Sequence, residues 1–387
     1  MCIRDRGEKE QDYLTHIWNL TSMMDHPIIA KEENQDEACY RQFYEEAISL
    51  CRKKRFHEVL EKCRYTSLDD EEEYSIDVIQ PEKIEFKQNS YEDGENSIIS
   101  FPEFLLLVLD VCTGGEQPAS HYQPDKLIEK FDALKTHFTA GEFYEKMLYY
   151  RLLLDYYTIR RDIKDGQGNY SLILKGPKDD NDKLKQYQSM LYVSTEAFYN
   201  WLKPYLRKLE QDELQSCAEM LAFLKKEDNE RHGVLPARKD LSYKASGNIR
   251  YWFWRLDYYL WEQRSTFFNE EEQKIVEHYV FRRNRSIEHL HPQDESHNEE
   301  WEEEAVHSFG NLAMISQSFN SQQSNDHIQI KFARIHEQIS NKSLQSIKMF
   351  LMCKLADFNY QNWTMKLAKE HENEMIEFLE RSFYISD

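Results

Sequence analysis

The chain has 387 residues and a formal net charge of −21 at pH 7, with 40% hydrophobic residues, 31% charged residues, 11 Gly and 9 Pro. This length allows two or three domains of about 100–200 residues, and the composition is typical of a soluble, mostly helical protein. The longest strongly apolar run, at 104–111, is too short to span a membrane. No apolar leader with a cleavage site begins the chain, so we expect a cytoplasmic protein.

Charge and cysteine usage limit the possible partners and metals. An acidic balance argues against nucleic acid, because a polyanion is repelled by a polyanionic surface. The acidic residues are concentrated, however, in stretches such as 69–73 and 294–304, whereas residues 306–355 carry five Lys or Arg and only two Asp or Glu. We therefore expect a basic patch within an acidic protein. The seven cysteines form no C-x-x-C pair, which excludes zinc knuckles of that type and indicates reduced thiols.

The first predicted elements are helical. The opening MCIRDR matches no helix start, and we interpret it as read-through from a sequencing adaptor, so that the chain would begin inside a longer gene. Apolar residues at three- and four-residue spacing predict amphipathic helices over 13–62. Alternation over 74–87 predicts a short hairpin. A buried helix over 100–112 follows, with Ser100 as its cap and Pro102 in its first turn.

A Leu and Tyr stripe over 140–162 predicts a long helix whose apolar face is core. Residues 164–182 read as a turn, a short strand and a second turn. Helices resume over 183–226 with a break near Pro204. The HGVLPARKD stretch at 232–240 is interpreted as an inter-domain joint.

The chain is thus predicted to contain a helical domain over 1–239 and a second domain over 240–387. A very aromatic helix over 246–263 opens the second domain. It precedes RRNRSIEHLHPQ at 282–293, which places Glu288 beside His289 just ahead of a proline.

Glu288 and His289 have the residue types that a hydrolytic site needs. An imidazole accepts a proton from water near neutral pH, and a carboxylate binds a divalent ion. Adjacent residues of a strand point to opposite sides, so the two side chains can serve different partners. The dipeptide alone is weak evidence, because a second Glu–His pair occurs at Glu277–His278.

The downstream stretch from His307 to Ile335 adds an ordered set of polar residues. It contains Gly–Asn–Leu with Asn311, a short apolar strand, Asn320, and Ser–Asn at 324–325 opening a helix. Asn325 is a good helix cap, and Lys331 and Arg334 lie three residues apart on one face of that helix.

This order of Glu–His–x–x–Pro, Asn–Leu, Asn, and Asn before a helix resembles HNH (His-Me finger) nucleases. It looks most like the C-terminal half of GmrSD-type modification-dependent restriction endonucleases, from about residue 249 to the end. The resemblance implies a mainly α fold with a small α+β core of the ββα-metal, HNH-like type in the C-terminal part. The domain at 1–239 more faintly resembles the segment that follows an N-terminal nucleotide-binding domain, whose Asp–Gly–Gln–Gln–Arg motif is not found here.

The resemblance also implies roles for single residues. His289 would be the general base, Glu288 and Asn320 would hold one Mg²⁺ or another divalent ion, and Asn311 would join the two strands by hydrogen bonds. The residues that would contact the DNA backbone are Lys331, Arg334 and Arg285, with Arg282 and Arg283 as further candidates. The implied partners are DNA, including phage DNA with modified cytosines, and an N-terminal nucleotide-hydrolysing domain or subunit. A nucleotide would act only through that domain, which this chain does not contain.

Several alternatives stay open. His291 stands where the family usually has an aliphatic residue, and it could be an auxiliary ligand, a substitute base or a tolerated polar residue, the last being our interpretation. The acidic run at 294–304 is interpreted as a solvated loop. A catalytically inactive helical interaction or DNA-binding protein that retains an HNH-like fold is the main alternative, favoured by the charge of −21 and by His291. A zinc-dependent hydrolase is disfavoured because neither H-E-x-x-H nor paired cysteines occur.

Overall fold

A computed structural model of the chain describes residues 3–29, 36–63, 94–163, 170–177, 181–194, 196–283, 285–293, 301–316 and 328–384. The chain divides into two compact units. Unit 1 comprises residues 1–181 and 198–217, and unit 2 comprises residues 182–197 and 218–387. The predicted boundary between residues 239 and 240 falls inside unit 2.

The chain is mainly helical, with two small antiparallel sheets, which confirms the main part of the expected fold class. The described helices are α1 (Ile3–Ser22), α2 (Glu37–Arg52), α3 (Phe56–Cys63), α4 (Phe101–Cys112), α5 (Leu127–Leu134), α6 (Ala140–Tyr157), α7 (Asp182–Val193), α8 (Phe198–Glu210), α9 (Cys217–His232), α10 (Ile249–Glu262), α11 (Arg264–Phe267), α12 (Glu270–Glu277), α13 (Glu303–Val306), α14 (Ile328–Ser340), α15 (Ile347–Leu355) and α16 (Met365–Arg381). The described strands are β1 (Gly94–Ser97), β2 (Arg160–Ile163), β3 (Tyr170–Ile173), β4 (Arg285–His289) and β5 (Leu312–Ser316).

Unit 1 packs its helices around α4 and α6, both largely buried. The predicted helix over 100–112 is confirmed, and the Ser100 N–H donates to the Glu103 carboxylate at 2.7 Å in a capping box. The predicted helix over 140–162 is shorter than expected. It ends at Tyr157, and Arg160–Ile163 forms β2, the central strand of the β1–β2–β3 sheet.

Two further predictions differ from the structure. No helix start was found in MCIRDR, yet α1 begins at Ile3. The predicted break near Pro204 is wrong, because Pro204 lies inside α8 and the breaks fall at either end of that helix. The hairpin predicted over 74–87 lies outside the described residues.

Unit 2 is built around α10, which confirms the predicted aromatic helix and is buried at every position from Tyr251 to Trp261. Asp228 of α9 explains why that helix belongs to this unit and not to the first. Its Oδ2 accepts hydrogen bonds from the Tyr187 and Tyr251 hydroxyls, each at 2.7 Å, and from Arg255 at 3.0 Å. Because these groups are buried, their polar atoms have to be paired inside the unit.

The β4–β5 strand pair lies within unit 2 and is antiparallel, with Glu288 opposite Ala313 and His289 opposite Leu312. Helices α10 and α15 pack against β5. Leu290, which directly follows β4, shares one hydrophobic cluster with residues of β5, α14 and α15, including Ala313, Ile315, Phe332, Ile335, Met352 and Cys353. An HNH-like ββα core stays a prediction, because residues 317–327, between β5 and α14, lie outside the described ranges.

Among the described residues, no helix combines the length and the apolarity needed to cross a membrane.

Candidate active site

Glu288 and His289 are adjacent at the end of β4, and both are nearly buried, at 7% and 4% exposure. Successive side chains of a strand point to opposite faces. The two residues therefore have different surroundings. Glu288 lies opposite Ala313 of the hydrophobic cluster shared with α14, and His289 lies opposite Leu312.

Lys331 of α14 supplies the counter-charge for Glu288. Its Nζ donates a hydrogen bond to Glu288 Oε1 and a second one, of 2.7 Å, to the backbone oxygen of His289. The lysine is only 4% exposed. Each charge is removed from water, so each needs the other as a partner. The ammonium thus points inward to the strand pair, and contact of Lys331 with a DNA backbone stays a prediction.

His289 is held on both ring nitrogens. Its Nε2 lies 3.0 Å from Nδ1 of His307, and its Nδ1 lies 3.0 Å from Nε2 of Gln293. The Tyr243 ring meets the imidazole edge-on, with the ring centres 4.6 Å apart. The pKa of His289 is lowered to about 3, mainly because burial penalises the charged ring and also because His307 and Lys331 are close. His289 is therefore neutral at pH 7, the form that accepts a proton.

His307 and Tyr243 are site residues that the sequence analysis missed. His307 is buried, and burial lowers its pKa, with the nearby Lys244 ammonium as a second cause. The Tyr243 ring stacks on that of His307 at 5.7 Å and is 43% exposed, so it forms the open side of the site. The only signal in the sequence was the position of His307, three residues ahead of the Gly–Asn–Leu strand entry.

Asn311 fixes the start of β5 against the end of β4. Its Nδ2 donates to the backbone oxygens of His291 and Val306, at 3.0 and 2.9 Å, and its Oδ1 accepts from the His291 N–H at 2.8 Å. The Trp363 indole N–H also donates to Oδ1, at 3.2 Å. All four bonds are made by a fully buried amide, so Asn311 orients the backbone that carries the site.

His291 packs as part of an aromatic stack. Its ring lies parallel to that of Trp301 at 4.1 Å, and it is 3% exposed. The interpretation of His291 as a tolerated residue stays a prediction.

The remaining residues predicted for the site are four arginines and two asparagines. Arg334 is half-buried on α14, and Arg285 is the first residue of β4. Arg282 is exposed, whereas the Arg283 guanidinium lies 3.9 Å from the centre of the Tyr192 ring. Asn320 and Asn325 lie outside the described residues, and their roles stay predictions.

The donors at Glu288 are hard oxygens, as Mg²⁺ prefers. The Glu288 carboxylate and the His289 carbonyl already converge on one cationic nitrogen, that of Lys331, so their chemistry fits a small hard cation. Across the described ranges, no three His, Cys, Asp or Glu side chains form a group that could hold a metal ion.

Fold and site together define a mainly helical protein whose C-terminal unit carries a Glu–His pair on a buried strand pair, braced by an asparagine. Residues 236–378 match the family model of GmrSD restriction endonucleases, C-terminal domain. The match confirms the resemblance to the C-terminal half of GmrSD-type restriction endonucleases, and its range includes Glu288, His289, His307 and Asn311. The HNH assignment stays a prediction. Comparison with curated proteins gave no match, and comparison with solved structures gave none either.

Proposed function

We propose that this chain is a metal-dependent DNA endonuclease module that hydrolyses phosphodiester bonds. The observation that carries the proposal is the restriction-endonuclease family match over 236–378 together with the Glu288–His289 pair inside it. A neutral imidazole and a buried carboxylate on adjacent residues are the groups that such a reaction needs, one as base and one as anion.

In this proposal His289 Nδ1 takes a proton from the attacking water. The water oxygen then bonds to phosphorus, the bond from phosphorus to the leaving oxygen breaks, and solvent protonates that oxygen. Nδ1 faces Gln293, whose side chain is exposed, so water can replace the amide there. An approaching phosphate would favour the imidazolium, because a negative charge nearby raises the pKa of a histidine. A positioned base of this kind accelerates a reaction by roughly 10²–10⁴-fold.

Glu288 and Asn320 would hold the divalent ion, which when bound supplies positive charge against the leaving oxygen. The Lys331 ammonium now contacts the same Glu288 carboxylate, so the two cations would compete for it. Lys331, released from Glu288, and the half-buried Arg334 would then face the DNA backbone.

The proposed substrate is foreign DNA, including phage DNA with modified cytosines, met in the cytoplasm. The proposed partner is a nucleotide-hydrolysing domain or subunit that precedes this module. The substrate is supported by the words restriction endonuclease in the description of the matched family, and the partner by the resemblance drawn from the motifs.

The test compares His289→Ala with a control taken from the second Glu–His pair of the chain. His278 follows Glu277 at the end of α12, is exposed, and its Nδ1 donates to the carbonyl of Lys274 in the same helix, at 2.6 Å. Purified proteins would be incubated with Mg²⁺ or with EDTA and with phage DNA that carries modified or unmodified cytosines. We expect Mg²⁺-dependent cutting by the wild type and by His278→Ala, and a loss of roughly 10²-fold or more in His289→Ala. Equal cutting by all three would contradict the proposal.

A second candidate is a non-catalytic DNA-binding or interaction protein with the same fold. It is favoured by the ion pair that engages Glu288 and by the burial of His289. In that case the wild type and His289→Ala would bind DNA equally in a gel-shift assay, and neither would cut it under any of the conditions above.

A further inference from the structure

His289 and His307 form a direct imidazole–imidazole hydrogen bond that no part of the proposed reaction uses. The two nitrogens, Nε2 of His289 and Nδ1 of His307, are 3.0 Å apart, and both residues are buried. Only one of these nitrogens can carry the shared proton in the neutral pair. Its location decides which nitrogen of His289 remains available as a base.

The neighbour on the other side of His289 indicates where that proton lies. Gln293 meets Nδ1 of His289 through its Nε2 amide, and an amide nitrogen only donates hydrogen bonds. Nδ1 must then accept, so the proton of His289 is on Nε2. It follows that His289 donates to His307 Nδ1, and that His307 carries its own proton on Nε2.

The backbone of His307 is fixed independently of its ring. Its carbonyl oxygen accepts hydrogen bonds from the Tyr243 N–H at 3.0 Å and from the Ser242 hydroxyl at 3.1 Å. One residue earlier, the Val306 carbonyl is bound by Asn311. A side chain carried on such a constrained backbone, with the Tyr243 ring stacked on it, is well suited to orient another group.

We infer that His307 is a positioning residue. Its Nδ1 accepts the Nε2–H of His289 and so holds that ring in the tautomer whose unprotonated Nδ1 faces the exposed Gln293 side chain. The inference rests on the proposed function, in which Nδ1 receives the proton from water. After that transfer Nε2–H still donates to His307, so the hydrogen bond persists through the step. The orientation of the base would then not have to change during the reaction.

Two substitutions separate an acceptor role from simple packing. His307→Asn places an amide oxygen near the position of Nδ1 and so keeps an acceptor there. His307→Leu keeps the bulk under Tyr243 but has no acceptor. Their folding would be checked by thermal melting, because only variants that melt near the wild type can be interpreted.

The first measurement is of the tautomer itself, by long-range ¹H–¹⁵N NMR of the full chain with labelled histidine. The signals of His289 would be assigned by their loss in His289→Ala. We expect the Nε2–H tautomer in the wild type and in His307→Asn, and a mixture of both tautomers in His307→Leu. A His289 that is Nδ1–H in the wild type, or whose tautomer is unchanged in His307→Leu, would overturn the inference.

The second measurement is DNA cleavage under saturating Mg²⁺. We expect His307→Leu to lower kcat by roughly 10–100-fold with the KM for DNA unchanged, and His307→Asn to recover most of it. An unchanged kcat in His307→Leu also overturns the inference. If the wild type cuts no DNA, the proposed function fails, and the tautomer measurement alone decides whether His307 fixes His289.

Discussion

The ammonium of Lys331 and the carboxylate of Glu288 form an ion pair that is almost completely removed from water, with the two side chains 5% and 9% exposed. Removing one partner of such a pair leaves an uncompensated charge in the interior, which costs far more than the pair itself contributes. Glu288 therefore always requires a cation, and the side chain that now supplies it competes with any ion from solution.

The first prediction concerns Lys331→Met, which removes the ammonium and keeps most of the apolar stem. We expect it to lower the free energy of unfolding by about 3–5 kcal/mol in EDTA, because Glu288 is left buried and unpaired. Divalent ions should then stabilise the variant more than the wild type, since binding to the folded state alone raises stability. Scanning calorimetry with and without Mn²⁺ measures both effects.

The matched control for that prediction is the double variant Glu288→Gln with Lys331→Met, which has no charge left at the site. We expect its Tm to be insensitive to Mn²⁺. An equal Mn²⁺ response in the single and double variants would show that the ion binds elsewhere.

At the scale of elements, the turn before β5 is packed directly on α16. A Cβ atom added at Gly310 would lie 2.1 Å from the backbone oxygen of Ala368 and 2.8 Å from Cβ of Glu372. Neither atom is the flexible end of a side chain, so the contact cannot be relieved without moving the helix from the turn. The next residue of that turn is Asn311, which links this packing to the site.

The second prediction is that Gly310→Ala destabilises the chain by roughly 1–3 kcal/mol, the usual range for overpacking in a well-filled interior. Gly247→Ala is the control in the same unit, because a Cβ there meets nothing within 4 Å. Urea denaturation of the two variants measures the difference. Equal free energies of unfolding for Gly310→Ala and Gly247→Ala would mean that the turn can move away from α16 without destabilising the fold.

Sequence patterns predicted the elements whose signals are local. The Ser100 cap and the aromatic helix α10 were found because caps and periodicity lie within a few residues. The end of α6 was not found, because the strand after it is set by a distant partner. Arg160 lies opposite Ser97 of β1, and its guanidinium pairs with buried Asp155.

Pro204 illustrates the reverse error, in which a local signal was overridden. A proline inside a helix removes one hydrogen bond and crowds the preceding turn, which is why a break was predicted there. In the structure α8 continues through it, with Leu202, Tyr205 and Leu206 all buried. Burial of these side chains on one face offsets the cost of the lost backbone bond.

The candidate site likewise contains residues that the local sequence identifies and one contact that it does not. Glu288 and His289 were identifiable because they are neighbours in sequence, as was the Asn311 that follows a glycine. The contact between His289 and His307 joins residues 18 apart, and it exists only because β4 and β5 pair in one register. No periodicity or spacing in the chain encodes that distance.

At the scale of the whole molecule, the formal charge of −21 counts every lysine as positive. Lys348 of α15 is not fully positive at pH 7, because it is fully buried and its pKa is lowered to about 7, chiefly by desolvation. Asp257 and Glu372 oppose the shift, and His371 lies close enough for its own pKa to be lowered by the Lys348 charge. At neutral pH this lysine is therefore only partly protonated, and its lost positive charge makes the net charge slightly more negative than the formal value.

The third prediction follows from this shift through the linkage between protonation and stability. Between the folded pKa of about 7 and the ordinary value of 10.5, the unfolded chain binds a proton at Lys348 that the folded chain does not. Stability must therefore rise with pH across this window. Between pH 7 and pH 9 the contribution of this one group amounts to about 2 kcal/mol.

Lys348→Met tests it, because methionine has no proton to bind in either state. The Lys348 ammonium also donates to the carbonyls of Phe309 and Leu312, at 2.8 and 2.6 Å, so the variant will differ from the wild type at every pH. The informative quantity is the change of that difference between pH 7 and pH 9 in urea denaturation, and we expect the wild type to gain about 2 kcal/mol relative to the variant. Met349→Leu, a neutral change on the same buried helix, should show no such gain. A constant difference between Lys348→Met and the wild type would mean that Lys348 stays charged inside the fold, with its two carbonyl partners and Asp257 sufficient to stabilise the ammonium.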